Sequence, residues 1–433
     1  KIMTTIDSRM QKYAEEAVFA QVAKNLQPAF NRANKSKRNA PFSDNLTSKQ
    51  VREIMHRAMV QSERYRVLKS KGLSEDEIKQ SFRTKVDMTL FSYHGDIDTV
   101  MTPMDSIRYV KSFLRTGFMS MDGLTGQVKA YVGGMNYNHF MYDMVMGGRR
   151  QIGSTIKPFL YALAMENGFS PCDKVMNVQQ TYMVAGKPWT PRNGSKSRYG
   201  QLVTLKWGLA QSNNWISAYL MSKLNPNQFV DILHSFGIDN PDIHPSMSLA
   251  LGPCEASVGE MVSAYTAFVN NGIHISPLFV TRIEDNQGNV IARFQPRMNE
   301  VINAESANKM LVLLQAVVNE GTAGRLRYKF GLKNEIGGKT GTTNRNSDAW
   351  FIGFTPQLVS GCWVGGDDRD IHFDSTSMGQ GATMALPIWA YFMKKVYADK
   401  ELGYDINATF DLPANFDPCY NSEQGYDEFG IDK

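Results

Sequence analysis

The sequence has no uninterrupted apolar run of the ~18 residues that a membrane-spanning helix needs, so no span is expected in it. It begins at Lys1 without a signal peptide, and a targeting segment is expected upstream. Cysteine is scarce: Cys172, Cys254, Cys362 and Cys419 lie far apart with no C-x-x-C, which excludes the usual zinc spacings. The even count permits disulfides without fixing a pairing, and Cys362, inside "VSGCWVGG", reads as a buried thiol. The seven histidines include no H-E-x-x-H and no pair at helical spacing, so they read as scattered core or surface groups. Charge of one sign is also lacking. The net charge is +5, from 47 basic and 42 acidic residues, and no basic run is interleaved with aromatics, which argues against a nucleic-acid channel.

What is present is a 433-residue chain, 42% hydrophobic and 21% charged, long enough for two or more domains. Asp7 can cap a helix that carries Met10, Tyr13, Ala14, Ala17 and Val18 on one stripe. A basic loop "NRANKSKRNAP" follows, then a helix from about 47 to 71, a short helix "SEDEIKQSF", a strand in "TKVDMTLFSY" and a helix opened by Pro103. Residues 1–115 therefore read as a small charged module. At 116 the character changes: "TGFMSMD", "GLTG" and "QVKAYVGG" predict a hairpin. "DAWFIGF", "TPQ" and "LVSGCWVGG" predict another near the other end, and helical periodicity covers 155–167, 204–222, 227–236, 258–271 and 306–319. The expected fold is mixed α/β: one antiparallel central sheet built from both ends of residues 116–400 and flanked by helices. Residues 401–433 form an acidic tail, expected to be extended or partly disordered.

Three short motifs could carry chemistry. In "GSTIKP", Ser154 opens a helix and Lys157 lies three residues on, on the same face. A serine needs a base to become a nucleophile, and lysine serves only if its pKa is lowered by burial or a neighbouring cation. S-x-x-K alone is common, and Ser306 and Lys309 match it too. "SNN" at 212–214 is an S-x-N, as are residues 43–45, whereas Lys-Thr-Gly occurs once, at 339–341. Only Ser154, Ser212 and Lys339 follow in the order S-x-x-K, S-x-N, K-T-G with properly spaced members, the order of a serine acyl-transfer set. "GGKTGTT" precedes the late hairpin, which puts it on or beside a sheet edge where an extended peptide could add as a strand. There Gly341, without a Cβ, would let substrate approach closely. It is not a P-loop, since position 333 is Lys rather than Gly.

On these motifs the sequence resembles the transpeptidase half of a class A penicillin-binding protein. "TTIDSRMQKYAEEAV", "SMDGLTGQVKAYVGG", "RRQIGSTIKPFLYALAMENG", "VTLKWGLAQSNN", "EMVSAYTAFVNNGI", "NEGTAGRL", "GGKTGTTNRNSDAWFIGFTP" and "GQGATMALPIW" resemble the family's blocks in order, covering about 116–398 and the first helix. Ile152 stands where the family usually has Pro, and the family's glycosyltransferase domain and membrane anchor are absent, so no glycan polymerisation is expected of these residues. The resemblance implies a penicilloyl-serine transferase, β-lactamase-like fold and a peptidoglycan D,D-transpeptidase at the periplasmic face of the inner membrane, anchored in the full-length protein. Ser154 would attack the carbonyl between two terminal D-Ala residues of a stem peptide, and Lys157 would take its proton. Ser212 would relay a proton to the leaving group, and Asn214 would bind the substrate amide and help to fix Lys157. Lys339 would supply positive potential, with Thr340 and Thr342 bonding the terminal carboxylate. The backbone N–H groups of Ser154 and Thr342 would form the oxyanion hole. β-Lactams would acylate Ser154, and no metal or organic cofactor is implied.

Rival readings use the same residues. A class A β-lactamase would also need a glutamate for deacylation. The candidates Glu255 and Glu260, in "LGPCEASVGEM", fit a helix start capped by Ser257 better than a water-activating loop. A D,D-carboxypeptidase would use water as acceptor. A β-lactam sensor would need a membrane signalling segment, and a degenerate scaffold would have lost a motif residue.

Overall fold

The computed structural model of the protein describes residues 1–420. At its centre is a five-stranded antiparallel sheet of β1 (Arg115–Asp122), β2 (Val128–Val132), β3 (Gly337–Thr342), β4 (Asp348–Phe354) and β5 (Leu358–Gly365), in the order β3-β4-β5-β1-β2. The early and late hairpins meet where β5 pairs with β1, with Cys362 opposite Phe118. The sheet is thus assembled from both ends of the domain, as the two hairpins predict, and β3 is its edge.

Strand alternation gives the sheet two apolar faces. On one, Phe118 meets Phe392 (4.9 Å between ring centroids) and Phe351 meets Trp389 (5.7 Å), both on a late helix, Leu386–Ala398. The first helix, α1 (Ser8–Val18), packs beside it; Asp7 caps α1 and its buried side is Met10, Ala14, Ala17 and Val18. On the other face, Ile352 and Gly361 lie under Val262 of the helix Val258–Val269. Register puts Lys339 opposite Ile352, so its side chain also enters this helical layer. The helix that follows the S-x-x-K turn, α2 (Lys157–Glu166), is buried within it on almost every side.

Three readings needed revision. The helix of α1 continues through π-helical turns at Phe19–Leu26 to Asn34, so part of the expected basic loop is helical. The helix expected over 47–71 is broken at Ser62, whose hydroxyl caps a second helix at Tyr65 N–H. The helix expected over 204–222 is two, α3 (Leu205–Ala210) and α4 (Asn214–Lys223), separated by Ser212 at φ 53°. Asn213 restarts the chain by accepting from Trp215 and Ile216 N–H.

Residues 48–111 form four helices and the hairpin Val86–Leu90 with Ile97–Met101, around a small separate core of Met59, Ile78 and Phe82. The tail is described as far as Tyr420, and the rest of it lies outside the described residues. Phe410 is buried against Phe354, and a disulfide joins Cys419 to Cys172. Cys254 and Cys362 are free, Cys362 fully buried. Among the described residues no helix is long and apolar enough to cross a membrane.

Candidate active site

The three motifs converge on one cleft of about 400 Å³, lined by Ser154, Ser212, Asn214, Thr340 and Thr342 among others. Ser154 lies in a 3-10 turn, Gly153–Ile156, that feeds directly into α2. The turn is held from behind: Ile152 N–H bonds Cys254 O and Gly153 N–H bonds Gly252 O, each at 3.0 Å. Gly153 (φ 53°) rests on Thr342, where a Cβ would come within 3.0 Å of the carbonyl oxygen. Gly252 (φ 71°) leaves no room for a side chain, since a Cβ would sit 2.0 Å from Gly153 O. The Ser154 turn and the end of β3 are therefore in direct contact.

Lys157 is fully buried beneath this turn. Its Nζ donates to Ser212 O (2.6 Å) and Asn214 Oδ1 (2.6 Å), and lies 3.4 Å from Ser212 Oγ. The left-handed backbone at Ser212 is what turns both its carbonyl and its hydroxyl toward the lysines. Lys339, also fully buried, donates to Ser212 Oγ (2.9 Å) and Thr340 O (3.0 Å). Burial drives the Lys157 pKa well below 10.5, and the nearby Lys339 charge lowers it further. Burial alone brings Lys339 down to about 7. A neutral amine at Lys157 has two N–H groups and one lone pair. The two short contacts use both N–H groups and leave the lone pair free to accept a proton. Among the described residues Ser154 Oγ forms no hydrogen bond, so Ser154 and Lys157 share the site without being joined.

Strand β3 offers its outer edge to the cleft. Thr343 N–H bonds Asp348 O (3.1 Å), so by antiparallel alternation Thr340 and Thr342 point their own N–H groups away from the sheet. Thr340 Oγ1 contacts Thr322 Oγ1 at 2.6 Å, and Thr342 Oγ1 accepts from Gly381 N–H at 3.0 Å. Gly341 has a packing role beside its expected one. A Cβ there would meet Thr155 Cγ2 (2.8 Å) and Ile152 O (3.0 Å), so the missing side chain makes room for the Ser154 turn.

The competing motif matches lie in other roles. Ser306 sits in a helix start capped by Asn303, with Lys309 paired to Glu305 at 2.8 Å, and Ser43 bonds Asp374. Glu260 completes the capping box with Ser257 and pairs with Arg149, while Glu255 pairs with Arg369. Sequence reasoning missed Gly252, Thr322 and the buried Asp348. Only Gly252, before Pro253, carried a turn signal.

The family model for the penicillin binding protein transpeptidase domain matches residues 116–361, more than half of the chain. The chain belongs to the penicillin-binding protein transpeptidases. Residues 37–114 match the penicillin-binding protein middle domain. Penicillin-binding protein 1A of Aquifex aeolicus is 35% identical over 288 residues, 65% of this chain and 38% of that protein. Its namesake in Neisseria meningitidis is 32% identical over 297 residues, 66% and 36% respectively. This transpeptidase chain thus matches little more than a third of those relatives' length. Among solved structures, penicillin-binding protein 1A of Haemophilus influenzae superposes with a TM-score of 0.70 at 22% identity, covering 96% of this chain and 68% of that one. PonA1 of Mycobacterium tuberculosis, solved with penicillin V, gives 0.59 at 22% identity over 86% of this chain and 97% of that one. These confirm the penicilloyl-serine transferase fold.

Proposed function

We propose that the chain is a serine-type peptidoglycan D,D-transpeptidase. The observation that carries the reading is Lys157: fully buried, held by Ser212 and Asn214 beside the Ser154 turn, with its pKa driven well below 10.5 by burial and by the Lys339 charge. Ser154 Oγ attacks the carbonyl carbon between the two terminal D-Ala residues, and its proton passes to the free lone pair of Lys157. The negative charge that develops on the carbonyl oxygen is taken by the N–H groups of Ser154 and Thr342. The C–N bond then breaks. Ser212 Oγ, 3.4 Å from Lys157 Nζ, hands a proton to the departing D-Ala nitrogen and is resupplied by Lys157. An amine from a second stem attacks the resulting ester, forming the cross-link amide and restoring the Ser154 hydroxyl.

Substrate recognition follows from the same cleft. Lys339 supplies positive potential, Thr340 and Thr342 bond the terminal carboxylate, and Asn214 receives the substrate amide. The cleft wall also suits an anionic peptide. Between Asp173 and Asp231 the sequence has seven basic residues and no acidic one, and exposed Arg192, Lys196 and Arg198 lie in the loop that supplies Asn193, Gly194 and Ser195 to the cleft. A β-lactam with its own carboxylate would acylate Ser154 in the same way. With Glu255 and Glu260 engaged elsewhere, water would release the adduct slowly. The working place is the periplasmic face of the inner membrane, with the anchor in the full-length protein.

The test is to give the chain a D-Ala thioester donor with and without a D-amino acid acceptor and to analyse products by mass spectrometry. Amide product exceeding hydrolysis supports transfer. Hydrolysis alone, unmoved by acceptor, would make it a carboxypeptidase. No turnover and no stable penicillin adduct would leave only a scaffold.

A further inference from the structure

Behind the cleft lies a buried carboxylate with no part in the reaction as described. Asp348, the first residue of β4, is wholly buried. Its Oδ1 accepts from Arg150 Nε at 2.7 Å and Trp363 Nε1 at 3.0 Å, and its Oδ2 accepts from Thr343 Oγ1 at 3.1 Å. Its backbone is bound to the same threonine: Asp348 N–H donates to Thr343 Oγ1 and Thr343 N–H donates to Asp348 O. Arg150 stacks over the Trp363 ring, 4.6 Å from its centroid, and also donates to Asp367 O.

The chain positions of these groups give the cluster its meaning. Arg150 lies four residues before Ser154, on the short strand Arg150–Gln151 that pairs with Glu255–Ala256. Thr343 immediately follows Thr342. One carboxylate thus ties the segment entering the nucleophile turn to the segment leaving β3. Those two segments carry the two N–H groups that the proposed oxyanion hole requires, and nothing covalent fixes their separation. Trp350, two residues after Asp348, adds a parallel tie, its Nε1 donating to Gln151 O at 2.8 Å.

We propose that Asp348, acting through Arg150 and Thr343, is a positioning residue that sets the spacing of the Ser154 and Thr342 N–H groups. It touches no substrate. The inference rests on the transpeptidase reading of the cleft. Its effect belongs to the acylation step, because the oxyanion exists only once the carbonyl has been attacked, and not to formation of the initial complex.

The test is Asp348→Asn, which keeps the volume and removes the charge that Arg150 neutralises. Stopped-flow acylation with a chromogenic cephalosporin separates the dissociation constant of the first complex from the acylation rate constant, both counted per active site by burst titration. The expected result is a rate constant lowered about 100-fold, the size of effect that a misplaced reacting geometry produces, with the dissociation constant within about threefold of wild type. A boronic acid that binds as a tetrahedral adduct should lose affinity by a similar factor. Arg150→Gln combined with Asp348→Asn should be no slower than the slower single variant. An acylation rate per active site within threefold of wild type would overturn the proposal, even if Tm fell, since Asp348 would then serve stability alone. If Asp348→Asn does not fold, Thr343→Val breaks only the link to β3. It should slow acylation about 10-fold, and an unchanged rate would refute the proposal. Absence of a Ser154 adduct in the wild type would instead refute the reading of the cleft.

Discussion

Lys339→Met should stabilise the protein while disabling it. Lys339 is fully buried, and its pKa is drawn from 10.5 to about 7, which corresponds to about 5 kcal/mol against the charged form. Methionine fills similar space without that penalty. It forfeits the bonds to Ser212 Oγ and Thr340 O, about 1 kcal/mol each. A net gain of about 3 kcal/mol is therefore expected at pH 6. Over 433 residues, with an unfolding entropy of about 2.1 cal/mol/K per residue, this raises Tm by about 3 °C. The sign with pH is fixed. Between about pH 7 and 10.5 the unfolded chain holds a proton that folded Lys339 has released, so wild-type stability rises with pH in that window. The advantage of the variant is fullest below about pH 7, vanishes near pH 9, where the remaining charge penalty equals the about 2 kcal/mol of lost hydrogen bonds, and reverses toward 10.5. Acylation by penicillin should fall for two reasons: the carboxylate loses its cation, and Lys157, freed from its neighbour's charge, becomes easier to protonate. Thermal melts from pH 6 to 10, alongside penicillin binding, make the assay. A lower Tm at pH 6, or a gain that does not shrink with pH, would refute the account of a desolvated Lys339.

Other perturbations have equally definite outcomes. Lys157→Ala should slow acylation at neutral pH about 1000-fold, and Lys157→Arg should not rescue it, because guanidinium does not release its proton; both are read by fluorescent penicillin labelling. Gly252→Ala should lower both Tm and labelling rate, since a Cβ would press to 2.0 Å from Gly153 O at a φ of 71°. Unchanged labelling would show that the turn yields without moving Ser154. Cys419→Ser, which opens the link to Cys172 across 247 residues, should cost about 2–4 kcal/mol and leave acylation per active site intact, measured by melting and burst titration.

How far the sequence reaches can be traced residue by residue. The sheet was legible because both hairpins carry period-two patterns and turn residues, and their pairing at Cys362 and Phe118 completes what the ends imply. Helix starts marked by Asp7, Ser74 and Ser257 were legible because capping is local chemistry. The break at Ser212 was not. Helical periodicity runs through it, and the Schellman bonds from Ser212 N–H to Leu209 O and from Asn213 N–H to Gly208 O, which usually place Gly or Asn at the left-handed position, are joined here by contacts with Lys157 and Lys339 that hold a serine there. The motif order did bring Ser154, Lys157, Ser212, Asn214 and Lys339 together, since S-x-x-K, S-x-N and K-T-G are read jointly. Gly341 read as an approach for substrate, and its packing use, making space for Thr155, was not legible because it depends on which face of β3 meets the Ser154 turn. Asp348 was invisible because its partners lie 5, 15 and 198 positions away.

The central claim is that Ser154, activated by a neutral Lys157, is the nucleophile. The most direct measurement is mass-spectrometric mapping of the penicilloyl adduct on the wild-type chain, with Ser154→Ala beside it. The account predicts one penicilloyl group on the peptide that contains Ser154, persisting after free drug is removed, and none in the variant. An adduct on another residue, or labelling that survives Ser154→Ala, would contradict it.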